Sequence, residues 1–452
     1  MFVRQRVKIT GAEESGVGLK TKSCRQRPLL PRPRIRTGAS ILLLLCGGCS
    51  SSYQPKTTQD NIDSYLSNAV LQVVSNGGVT SGNYQVFTID HTTSTFTEES
   101  LAGLGQLEPD GTGSFTTTSN GFLDIALQAG STSGTEGNFA LEIPGVMGFF
   151  GSQGSVYPMV TNASCPSLSK AQPFQFLSLS NLSSPTNNVA YGNVSILASG
   201  DTVSFTAINQ YQFPTSTTPA GTAVTDDPGP ASISGNCGSS AYGQVVSIAQ
   251  VIPIEGQSPT QAVDTLNINS GFLFENGLPS GNSSVPPNVL GSGGAVGLAT
   301  PSSQLNTTSL VGDSYNAFIS YAGAAAAFSG ASAGSTACGA LQASLQALSI
   351  QPSANTLYGG EFANGDPSAN TTSNCDVAID LGTEDANNNG LYTGVTVYLG
   401  TAYPGNSTGA VVVLPALAIG GEIGSQSALF VGTNMALTGT APLQIYLLQA
   451  SK

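Results

Sequence analysis

From residue 60 onward the chain reads as short segments in which large apolar residues alternate with small or polar ones. Phe139-Ala140-Leu141-Glu142-Ile143 sets three large side chains against Ala140 and Glu142. Residues 376–381 repeat the pattern with Val377, Ile379 and Leu381. So do Val395, Val397 and Leu399, and then Leu443, Ile445 and Leu447. Further runs of this kind span residues 84–89, 203–207, 245–251, 266–274 and 315–321. A period of two is that of a strand with one buried face. The Gly, Asn, Ser and Pro clusters between the runs supply turns. Helical spacing is sparse. It predicts one helix over 60–66 and another over 340–348, where Leu341, Leu345 and Leu348 share a face. The expected fold is all-β, an antiparallel sandwich or barrel with few short helices.

Two low-complexity stretches, 214–232 and 276–294, are candidate linkers. The second sorts the cysteines into pairs, with Cys165 and Cys237 before it and Cys338 and Cys375 after it. A faint echo of a Tyr-Gly pair between two cysteines (Tyr191-Gly192, Tyr358-Gly359) points the same way. The expected organisation is two β domains, 60–275 and 295–452, joined by 276–294. One continuous β domain is the alternative. Four cysteines in an exported chain imply two disulfides, expected as Cys165–Cys237 and Cys338–Cys375.

The first 48 residues differ from the rest. Ten of the chain's 13 Lys and Arg lie before residue 37, and a short apolar run from Ile41 to Leu45 follows them. Then come Cys46-Gly47-Gly48-Cys49 and three serines. Basic, apolar and small residues in that order form an export signal. The apolar run is far short of the roughly 20 residues that span a bilayer. The junction resembles a bacterial lipobox, in which small residues precede a lipidated cysteine. Gly47 and Gly48 fit, and Cys46 stands where Leu is usual. The resemblance implies lipidation at Cys49, a tether over 49–59, and anchoring in an outer membrane or at the cell surface. The body resembles only uncharacterised bacterial lipoproteins, which implies no activity.

Charge narrows the function further. After Cys49 the chain keeps 3 Lys, no Arg and 24 Asp and Glu, a formal charge of −21. Nucleic-acid binding needs Lys and Arg to neutralise phosphates, and bidentate capture of phosphate or carboxylate needs Arg. Nucleic acid and nucleotides are therefore excluded as partners. The partners that remain are the membrane, through the N-terminal lipid, and a glycan or another envelope protein.

No catalytic constellation is expected. Gly330-Ala331-Ser332-Ala333-Gly334 has the spacing of a hydrolase nucleophile elbow, and Gly312-Asp313-Ser314 resembles a lipase block. Both need a downstream His, and the only histidine is His91. A metal centre built from a His cluster is excluded for the same reason. A carboxylate-pair glycosidase needs only two acids. Its candidates are Glu142, Glu275, Glu361 and Glu422, each otherwise expected as a solvent-facing strand position. One cofactor candidate is calcium. Asp385-Ala386-Asn387-Asn388-Asn389-Gly390 resembles the first half of an EF-hand loop, with Asp385, Asn387, Asn389 and the Leu391 carbonyl as ligands. Asp380 or Glu384 would complete the shell, because Thr396 stands where the bidentate Glu is usual. The competing expectation is an ordinary loop with Asn389-Gly390 in a tight turn. The sequence thus points to a lipid-anchored envelope β-protein with a binding or structural role, or else to a secreted glycan-cleaving enzyme.

Overall fold

The computed structural model describes residues 61–71, 82–101, 107–118, 121–127, 138–152, 155–161, 168, 170–179, 189–199, 202–224, 232–240, 243–252, 260–269, 271–276, 290, 294–321, 324–331, 338–361, 377–401, 409–433 and 443–450. The signal and tether, Cys49 included, lie outside these residues, as do Cys165 and Cys375.

The fold is all-β and antiparallel, with two short helices among the described residues. Its strands form three eight-stranded meanders, each closed on itself. The first comprises β1 (Ile62–Leu71), β2 (Gly82–Asp90), β3 (Thr95–Leu101), β4 (Leu107–Thr117), β5 (Leu123–Leu127), β6 (Asn138–Ile143), β7 (Met147–Ser152) and β8 (Ser155–Thr161). It closes where Tyr65 pairs with Thr161 and Leu66 with Val160. The second comprises β9 (Gln172–Ser178), β10 (Tyr191–Ser199), β11 (Thr202–Tyr211), β12 (Ser232–Ser240), β13 (Gly243–Ile252), β14 (Thr260–Ile268), β15 (Phe272–Asn276) and β16 (Gly294–Ala299), closed by β16 on β9. In the third, α1 (Thr307–Gly312) precedes β17 (Tyr315–Tyr321) and β18 (Ala324–Ala331). Then come α2 (Gly339–Ala347), β19 (Thr356–Glu361), β20 (Val377–Asp380), β21 (Leu391–Leu399), β22 (Val412–Ile423), β23 (Gln426–Thr433) and β24 (Gln444–Gln449), closed by β24 on β17. The three sheets belong to one compact unit.

Alternation predicts the strands well, with three corrections. Of the span 60–66, expected as a helix, residues 62–66 open strand β1: Ile62 is exposed while Asp63 and Tyr65 are buried, so pairing with β2 overrides a weak helical spacing. The run 266–274 is two strands, broken by a turn in which Asn269 Oδ1 accepts from the Gly271 and Phe272 amides. The sheets also divide the chain at 162–171 and 300–314, and not at 276–294. The strands flanking that expected boundary, β15 and β16, are hydrogen-bonded neighbours, so the segment lies within the second sheet. The other candidate linker, 214–232, joins β11 to β12 of the same sheet.

Eight strands enclose a space that side chains just fill. In the first barrel Tyr65, Phe87, Ile89, Phe96, Phe115 and Phe150 fill it. In the third, α1 adds Leu310 and Val311 to inward residues such as Val397 and Ile445. Outside that barrel, Leu341 and Leu345 of α2 pack on Tyr358, Ala378 and Tyr398, as the leucine spacing predicts. Cys338, buried at the start of α2, is disulfide-bonded.

The outer faces meet too. Phe139, Leu141 and Ile143 point away from their own barrel into a cluster shared with Phe272 and Val296 of the second and Phe430 and Tyr446 of the third. Phe149 stands at its centre, stacked on Tyr446 at 4.6 Å and edge-on to Phe430 at 5.6 Å and to Phe272 at 6.4 Å. Phe149→Ala is therefore expected to destabilise the protein by roughly 3–5 kcal/mol, the cost of a large buried cavity. Denaturant unfolding measures it, and a loss under about 1 kcal/mol would show that the junction carries little.

Candidate functional site

The single histidine, which the sequence places in a polar Thr/Ser stretch, is the centre of the most unusual side-chain cluster. Three inward positions at one end of the first barrel converge. Asp63 lies two residues before Tyr65 on β1, and Glu142 two after Ala140 on β6. His91 follows Phe87 and Ile89 at the same parity, immediately after β2. The His91 amide extends the sheet by donating to the Asn61 carbonyl at 2.8 Å. Asp90 Oδ1 accepts from the Thr92 and Thr93 amides at 2.8 and 3.2 Å, which folds the chain back towards β3 and fixes where His91 starts. The Thr93 hydroxyl foremost, and then these amides, lower the pKa of Asp90. The His91 ring meets Phe115 edge-on at 5.7 Å.

His91 Nε2 lies 2.8 Å from Glu142 Oε1 and 3.6 Å from Asp63 Oδ2. It is aligned for a hydrogen bond with neither, although the atom itself is buried. The carboxylate side chains are 4% and 5% exposed and the imidazole 28%. Tyr65 donates its hydroxyl to the other Glu142 oxygen, Oε2, at 2.6 Å, and the Gly145 amide donates to the same hydroxyl at 3.3 Å. Proximity to Asp63 and Glu142 pushes the imidazole pKa up to about 10, against the opposing effect of burial. Burial, reinforced by the charges of Glu142 and Asp63, holds the Tyr65 phenol well above its usual range, so it remains a donor. In a chain with 3 Lys and no Arg after Cys49, a protonated His91 is what balances two buried carboxylates here.

The other predicted site residues lie elsewhere and are otherwise occupied. Asp385 Oδ1 accepts from the Asn387 and Asn388 amides and from Asn388 Nδ2 at 2.9–3.0 Å. The Leu391 carbonyl accepts from the Asp385 amide at 2.8 Å. Asn389 donates to the Pro301 carbonyl, and Glu384, buried, accepts from the Gly390 amide. Asp380 caps a different turn, through the Ser353 amide, the Ser353 hydroxyl and the Gly382 amide. Within the loop, Asp385 Oδ1 is thus engaged by the amides of the turn that it caps. Its tight turn is present, with the Leu391 amide bonded to the Asn388 carbonyl and Gly390 at φ +79°. Gly390 also needs to be glycine for space, because a Cβ would come within 2.4 Å of the Gly420 carbonyl.

Two of the four glutamates expected to face solvent do not. Glu142 belongs to the His91 cluster. Glu275 is fully buried inside the second barrel, with both oxygens on the Leu290 amide at 2.9 and 3.2 Å. Glu422 is exposed, as expected, and the Glu361 side chain lies outside the described residues. The cluster at His91 has no local sequence signature, since its members are 28 and 51 residues apart. The one available hint, an acid at an alternating position of an apolar strand, points to Glu142 and to neither Asp63 nor His91. No protein-family model matches the chain, and no curated protein matches it.

The raised imidazole pKa sets the direction of a pH effect. A group whose pKa is about 10 folded and about 6.5 unfolded contributes its stabilisation in full below about pH 6.5 and loses it as pH rises through about 10. With a chelator present, the stability gap between the parent and His91→Gln should be widest near pH 6 and narrow steadily towards pH 10. Urea midpoints at several pH values measure it. A gap that stays constant or widens with pH would refute a charged His91.

Proposed function

We propose that this protein is a lipid-anchored component of a bacterial envelope or cell surface, acting by binding or by structural presence and without catalysis. The observation that carries the anchoring is the basic, apolar and small-residue segment ending at Cys49. Attached there, at an outer membrane or the cell surface, the body would stand on the tether of residues 49–59. Its disulfides would be Cys165–Cys237 and Cys338–Cys375, suited to an oxidising compartment. The partner would be a glycan or another envelope protein, because the acidic, cation-poor body repels nucleic acid and nucleotides.

Burial of the acids supports the non-catalytic reading. A glycosidase pair must reach substrate on both sides of a sugar. Glu142 is held by Tyr65 and His91, and Glu275 by the Leu290 amide. The barrel interiors support a body outside the bilayer. They are filled by aromatic and aliphatic side chains, where membrane-spanning barrels keep polar interiors.

Two measurements test the reading. Cells fed a tagged palmitate should label the parent and leave Cys49→Ala unlabelled; label that persists in the variant refutes the anchor. Purified protein passed over a panel of polysaccharides should be retained without product release. Hydrolysis of any of them would favour the glycan-cleaving alternative.

A further inference from the structure

We propose that Asp63, His91 and Glu142 form a binding site for a divalent cation of the zinc class at one end of the first barrel. The site stands whether or not Cys49 carries lipid.

Asp63, His91 and Glu142 come from three separate segments, and one donor atom of each lies within 4.8 Å of the other two. A single ion bonded at roughly 2.1 Å to the nitrogen and to each oxygen reproduces the observed 2.8 and 3.6 Å separations. The angles it subtends there are roughly 85° and 120°, both ordinary for four- to six-coordinate ions. Hydrogen bonding alone does not account for this geometry. Nε2 is a buried atom that meets an acceptor in good alignment on neither carboxylate. An imidazole nitrogen this close to two carboxylate oxygens, with its N–H aligned to neither, is placed to give up its proton to solvent and ligate a cation.

The surroundings complete it. Tyr65 occupies Oε2 of Glu142 and is itself held by the Gly145 amide, so Oε1 is the oxygen left to face the ion. Such outer hydrogen bonds orient ligands in metal sites. Two carboxylates and one dication are neutral together, in a chain that brings few cations of its own. One nitrogen with two oxygens suits Zn2+ or its first-row neighbours; Ca2+ takes six to eight oxygens. Three protein ligands leave a coordination position free. Water or a donor atom of a partner would complete the shell.

The test is zinc binding by the purified full-length protein in detergent, after treatment with chelator. Calorimetric titration with Zn2+ should show one ion per chain for the parent. Binding should weaken by at least 100-fold in His91→Gln and in Glu142→Gln. It should weaken by about 10- to 100-fold in Tyr65→Phe, which keeps the ring and removes the orienting hydroxyl. Asp385→Ala, in the distant loop, should bind as the parent does. Parent protein that binds no Zn2+, or His91→Gln that binds as well as the parent, overturns the site. A second measurement does not depend on any variant folding. Co2+ added to the parent should give visible absorption from nitrogen and oxygen ligation, displaced by one equivalent of Zn2+. Absence of such absorption also overturns the proposal.

Discussion

The aromatic junction at Phe149 is the contact on which the architecture depends. A small closed barrel satisfies its own backbone and fills its own interior, so three of them in tandem need not touch. Here they do, because several strands are apolar on both faces. Along β6 the even positions belong to the barrel interior while Phe139, Leu141 and Ile143 enter the shared cluster. Along β24, Ile445 and Leu447 point inward while Tyr446 and Leu448 point outward. Phe149, Phe272, Phe430 and Tyr446 lock the three outer faces together with edge-on and stacked contacts. The consequence is a second hydrophobic core, outside all three barrels, in a chain with little charge to organise its surface.

That packing also positions the His91 cluster. Because the large residues of β6 are drawn outward into the junction, the small and charged ones, Ala140 and Glu142, are left to face the barrel interior. Glu142 is therefore buried by the demands of a neighbouring interface, and its charge needs a partner. His91 and the Tyr65 hydroxyl supply it. A carboxylate placed inside a barrel without such partners would be costly. The cluster reflects the scarcity of Lys and Arg after Cys49.

The strands were legible in the sequence because alternation is a local property. β17 matches its expected span, and the helix over 340–348 appears as α2 within a residue at each end. Which face is the inside is not local. The alternation at 139–143 was read correctly, yet its polarity is the reverse of the simple expectation, because Phe139 and Leu141 meet partners more than 100 residues away in sequence. The same inversion hid β1, where exposed Ile62 and buried Asp63 break an apolar-inside rule. Sheet boundaries were illegible for a related reason. Low complexity at 276–294 marks a connection between paired strands as readily as one between bodies. The loop at 385–390 kept its predicted turn, capped by Asp385 Oδ1 on the Asn387 and Asn388 amides, which composition alone cannot show.

The central claim is that the barrels share one core and so form a single cooperative body. Differential scanning calorimetry of the purified protein tests it most directly. The account predicts one endotherm, with a van't Hoff enthalpy equal to the calorimetric enthalpy, a ratio of about 1. Two or three separable transitions, with a ratio well below about 1, would show barrels that melt independently and would contradict a shared junction at Phe149.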